Sequence, residues 1–150
     1  MAENLKLARL YLLLLAIVAV GRWSLGFRHV PYDQGTDKLS IVIMTLFASV
    51  FYAAFTRRWL GYRLLQAVAL TMLLGLLGQV VVFLSTVASY ALGIDTYFNN
   101  PMALTRQPEA VGFAQAMGVR VGGLVANTFL NGIAGSLGWV MGGVLPAATK

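Results

Sequence analysis

The chain has 150 residues, of which 59% are hydrophobic and only 11% charged, and its formal net charge is +6. A soluble domain carries about 25% charged residues, so this composition excludes an ordinary water-facing surface and leaves the lipid bilayer as the solvent. There is no cysteine and a single histidine, His29, which excludes disulfides, thiolate metal sites, Fe–S clusters and any two-histidine metal or haem site within one chain.

The length admits one domain, 1–150. The basic residues are scattered and flank apolar runs, which fits anionic lipid headgroups as their counter-charge rather than nucleic acid. Arginine outnumbers lysine, eight to three, in a background of Ala, Gly, Leu and Val; this composition fits a GC-rich bacterial source.

The first apolar run, 10–27, follows Lys6 and Arg9. Its basic start and leucine-rich centre have the pattern of a signal peptide. Arg22 and Trp23 stand where a small-residue cleavage site belongs, so an uncleaved helix is expected. Arg22 is expected to snorkel to the headgroups, the alternative being a pair with Asp95 or Asp37. The connection 28–38, RHVPYDQGTDK, reads as a turn at Pro31 and Gly35, with Thr36 or Asp37 capping the next helix. The second run is 39–55. Behind it, 56–63 carries Arg57, Arg58 and Arg63 beside Trp59, a topology anchor.

The third run is the longest. Residues 64–94 carry no charge at all, and as one helix they would measure about 46 Å at 1.5 Å per residue. A bilayer offers about 30 Å of hydrocarbon, so a span over 64–92 must tilt or project. In the following segment Asn99-Asn100-Pro101 breaks the chain, and Pro108-Glu109 reads as a helix start. Residues 109–120 fit an interfacial helix, a re-entrant piece or an extension of the fourth span bending at Gly118. That fourth run is 121–145, stopped by Pro146.

With four spans, Lys6, Arg9, Arg57, Arg58, Arg63 and Lys150 share one side with Glu3. The other side holds Arg22, Arg28, Lys38, Arg106 and Arg120 against Asp33, Asp37, Asp95 and Glu109. The positive-inside rule then puts both termini in the cytoplasm. The expected fold is an all-α integral membrane protein, a four-transmembrane-helix bundle, N-in and C-in, with a longer outer segment between spans three and four. Its expected place is a bacterial inner membrane. Tyr11, Trp59 and Tyr62 would form the inner aromatic belt, and Trp23, Phe27, Tyr90 and Tyr97 the outer one.

No Asp, Glu, Lys or His falls in the middle of any span. Proton coupling needs an intramembrane carboxylate, and hydrolysis needs an acid, a base or a metal. No catalytic centre, metal or cofactor is therefore expected. What remains is small and neutral. Span three shows Thr71, Gly75, Gly78, Ser85 and Ser89 on one face beside Gln79, with Leu70, Leu73, Leu74, Leu77 and Leu84 opposite. Span four carries a four-residue row, Gly118, Gly122, Ala126, Ala134, Gly138 and Gly142, interrupted by Leu130, with Asn127 and Asn131 next to it. Because lipid provides little hydrophobic drive between helices, small residues mark close contacts. The row is thus a helix-packing or oligomer face. Thr45, Thr71, Gln79, Asn127 and Asn131 are the candidates for a polar path. The expected function is a non-catalytic assembly or accessory subunit, or a homo-oligomeric structural component; the alternative is a small channel or uniporter running through spans two, three and four. The expected partners are the lipid bilayer and either a second copy of the chain or another membrane subunit.

Overall fold

The computed structural model describes residues 6–35 and 39–144, and among these residues the only regular structure is helix. Six helices follow in order: α1 (Arg9–Phe27), α2 (Tyr32–Gly35), α3 (Ile41–Leu60), α4 (Leu64–Leu92), α5 (Pro101–Leu104) and α6 (Phe113–Val144). The four long ones, α1, α3, α4 and α6, are each long and apolar enough to cross a membrane. Thr36 and Asp37, the expected caps, and Pro146, the expected stop, lie outside the described residues, as does Lys150.

Local chemistry moves the boundaries. Ser40 caps α3, its side chain accepting from the Ile43 amide at 3.3 Å. At its other end α3 runs through the arginine cluster to Leu60 and stops at Gly61, whose φ of +68° is a left-handed C-cap. Arg57, Arg58 and Trp59 therefore ride on the last helical turn rather than in a loop. The turn that follows is brief, because Gln66 immediately caps α4 by accepting from the Arg63 amide at 2.8 Å. The expected helix start at Pro108-Glu109 is not seen. Instead Asn100 caps the short α5, with Pro101 in its first turn, and α6 begins at Phe113. Residues 113–120 are continuous with the fourth span, with no break at Gly118.

α3, α4 and α6 pack against one another, and α1 leans on α3 and α4. α4 runs antiparallel to α6, as the pairs Thr71–Gly135, Gly75–Asn131 and Gly123–Gln79 show. α3 runs parallel to α6. Gly138 and Gly142 let these two backbones touch: a Cβ on Gly138 would stand 2.7 Å from Val50 Cα, and one on Gly142 2.8 Å from Ala54 Cα. α4 is the most enclosed of the long helices. Its leucine side is covered in part: Leu70 and Leu74 are buried in a cluster with Tyr11 and Leu15 of α1, while Leu84 is exposed. This corrects the aromatic assignment: Tyr11 is core, its hydroxyl donating to the Leu74 carbonyl at 2.9 Å beside Thr45 Oγ1. Trp59 and Phe27 are exposed.

Candidate functional site

The two long connections, 28–40 and 93–112, meet at one end of the bundle, opposite the Arg57 end. The second is braced against α4 and within itself. Ser89 and Thr96 share a 2.7 Å hydroxyl contact, and Asn99 Oδ1 accepts from the Thr96 amide at 2.8 Å. Tyr97 reaches back to the Val30 and Pro31 carbonyls at 3.0 and 2.9 Å. It is a buried clamp between the two connections, not a belt residue, and burial pushes its hydroxyl above the usual tyrosine range while nearby Arg22 pulls it down.

Beneath this layer lies a cavity of about 320 Å³. Arg22, Arg106 and Arg120 face it, together with Ser40, Gln79 and Asn127, and among the described residues no acidic side chain lines it. Arg22 does not snorkel. It is 8% exposed, its Nη1 donates to the Leu39 carbonyl at 2.9 Å, and its guanidinium lies 5.6 and 5.4 Å from the ring centres of Tyr97 and Phe98. An inward arginine is tolerated because carbonyl and ring faces replace water around it. Arg120 is held across the gap from α6, its Nε donating to Thr86 Oγ1 at 3.0 Å and its Nη2 to the Phe98 carbonyl at 2.6 Å. The two cations are near enough to repel each other. Arg106 is exposed, on backbone with a φ of +59°.

The polar-path candidates separate into two groups. Thr45, Thr71 and Asn131 are consumed by packing. Thr45 donates to the Ile41 carbonyl at 2.6 Å and abuts Tyr11; Thr71 donates to the Val68 carbonyl at 3.0 Å, beneath Gly135. Asn131 is 1% exposed, lies against Gly75, accepts from Ser49 Oγ at 2.6 Å and donates to the Asn127 carbonyl at 2.7 Å. Gln79 and Asn127 instead border the cavity. Asn127 Nδ2 is bonded to the Gly123 carbonyl. Gln79 is only 7% exposed, and its amide makes no hydrogen bond among the described residues.

The packing row divides as well. Gly138 and Gly142 are sealed against α3, Ala134 is half-buried, and Gly122 and Ala126 are exposed. The anchors Arg58 and Arg63 sit at the Arg57 end. Arg57 itself turns onto α6, its guanidinium 3.7 Å above the Trp139 ring and donating to the Trp139 carbonyl at 2.7 Å. Sequence reasoning missed the cavity because Arg22 was assigned to the headgroups and Arg106 and Arg120 were only counted toward the topology. The one available signal was that Arg22, Arg106 and Arg120 fall on the same side of a four-span topology. Comparison with protein-family models, curated proteins and solved structures finds no match to this chain.

Proposed function

We propose that the protein is a non-catalytic multi-pass component of a bacterial inner membrane, with both termini cytoplasmic, acting as an assembly or accessory subunit or as a homo-oligomer. The non-catalytic part rests on the absence of Asp, Glu, Lys and His from the middle of the spans. The topology rests on the arginine distribution. One observation carries the assembly reading. The small-residue row that docks α6 onto α3 at Gly138 and Gly142 is interrupted by exposed Leu130 and resumes at Ala126 and Gly122, where a Cβ on Gly122 would meet nothing within 4 Å. The same device is used inside the chain at one end and left unpartnered at the other, flanked by exposed Val121, Val125 and Phe129. In lipid such a surface suits a second helix.

The double variant Gly122→Leu with Ala126→Leu fills this surface without touching α3. It is expected to reduce the detergent-solubilised mass or to release a co-purifying membrane subunit. Disulfide crosslinking of Ala126→Cys between copies would identify the partner as a second copy. Unchanged mass and unchanged partners would defeat the assembly reading.

The channel or uniporter reading has one observation in its favour, the placement of Gln79 and Asn127 at the cavity. Deeper in the bundle, Ser49–Asn131 and Tyr11–Thr45 close the way, so conduction would require those contacts to part. Asn127→Leu should then abolish solute flux into liposomes; a parent protein that carries no solute sinks this reading.

A further inference from the structure

The arginine-lined cavity has the composition of a receptor. Three cations from three separate parts of the chain converge on it: Arg22 from α1, Arg106 from the connection after α5, and Arg120 from α6. Arg22 and Arg120 are not free to swing, because each already spends donors on fixed carbonyls. A guanidinium carries five N–H donors. After these bonds Arg22 keeps its Nε and Nη2 donors and Arg120 keeps Nη1. Ser40 accepts from the Ile43 amide, which leaves its hydroxyl proton to donate. Gln79, more than nine-tenths buried and without a hydrogen-bond partner among the described residues, borders the same space. Among the described residues no buried side-chain nitrogen or oxygen lacks a partner, so the Gln79 amide is open to the cavity and free to bond to what enters it. Two like charges held close in a partly enclosed site are destabilising, and an anion with several acceptor oxygens offsets that repulsion while accepting from the amide.

We propose that this cavity is an oxyanion site for phosphate, either free or carried on a lipid headgroup. Guanidinium groups match the oxygens of phosphate in geometry and charge. The location fits as well. α3 has 20 residues, about 30 Å at 1.5 Å per residue, which is the thickness of the hydrocarbon. Its N-cap Ser40 lines the cavity, so in a bilayer the site lies at the boundary where lipid phosphates stand. Gly123 and Asn127 of α6 and Val42 of α3 also line it and are half-buried, and in the proposed bilayer they lie on its hydrocarbon side. A headgroup can thus reach the arginines while its chains remain in hydrocarbon. This proposal is independent of the assembly surface on α6.

The test uses the full chain purified in an uncharged maltoside detergent. Inorganic phosphate is titrated by calorimetry, and short-chain phosphatidic acid is followed by native mass spectrometry against uncharged diacylglycerol. The parent should bind one equivalent of at least one phosphate probe and ignore diacylglycerol. Saturable binding of inorganic phosphate assigns the site to a free anion; binding of phosphatidic acid alone assigns it to a headgroup. Arg106→Gln, at an exposed position that no packing depends on, and Gln79→Leu, which keeps the side-chain bulk, should each weaken binding about tenfold, the loss of one hydrogen bond to a charged group. Arg58→Gln at the other end should leave binding unchanged. The proposal is overturned by absence of saturable binding of either probe, or by binding that persists unaltered in both Arg106→Gln and Gln79→Leu.

Discussion

Gly122 and Gly138 lie on one row of α6, sixteen residues apart, yet their surroundings are opposite. Replacing a helical glycine with alanine normally stabilises by roughly 0.5–1 kcal/mol. At Gly122, open to space, Gly122→Ala should show that gain. At Gly138 the new methyl would press on the Val50 backbone, so Gly138→Ala should instead destabilise by about 1–3 kcal/mol, the usual result of overpacking. Thermal unfolding of both variants in detergent checks the contrast, and equal effects would contradict it. Tyr97 gives a prediction for pH. Burial raises its folded pKa, so its stabilising contribution is complete below the ordinary value of about 10 and is lost as pH rises through the raised one. The parent should therefore lose more stability than Tyr97→Phe above about pH 10, and the two should run in parallel at neutral pH. Some of this was legible in the sequence and some was not. Four-residue spacing marked Gly138 and Gly142 as contact positions before any partner was visible. The inward turn of Arg22 was not readable, since the Leu39 carbonyl and the rings of Tyr97 and Phe98 that receive it come from other segments.

At the scale of the helices, the number and order of the four long ones followed directly from the apolar runs, while their ends and the two short helices did not. Gly61 was the true stop of α3, and the arginines before it continued the helix because they are good helix formers. The expected start at Pro108-Glu109 has the right residues for an N-terminus but no apolar face to pack beside it, and α6 begins only at Phe113, which meets Tyr90 of α4 edge-on with ring centres 5.6 Å apart. Tyr90 also donates to the Val111 carbonyl at 2.6 Å. Helix ends here are thus fixed by tertiary contacts as much as by caps. The same logic recasts the arginine anchor. Arg57 holds α3 to α6 through Trp139, whose indole N–H donates in turn to the Tyr62 carbonyl at 2.9 Å. Arg57→Ala should lower stability by about 1 kcal/mol, the usual size of a cation–π contact, and shift the Trp139 emission. Arg58→Ala, which makes no such contact, should leave both unchanged.

For the molecule as a whole, the proposed orientation makes a definite prediction about access. A cysteine at Gln34, on the long-connection end, should react with a membrane-impermeant maleimide added to intact cells. One at Arg58 should react only after the membrane is opened. The reverse pattern would invert the topology and place the phosphate cavity on the cytoplasmic face.

The enclosure of α4 also bears on how such a molecule could be made. Thr71 packs against Gly135 and Gly75 against Asn131, both on α6, while Gly78 is covered by Tyr11 and Thr45. α6 is the last of the long helices to leave the ribosome. In the proposed bilayer, until it arrives the face of α4 that carries Thr71 and Gly75 lacks its cover and, with the Ser49 hydroxyl, stays turned toward lipid. On that reading, chains halted before Phe113 should be held by the insertion machinery or degraded, whereas arrival of α6 covers that face in a single step.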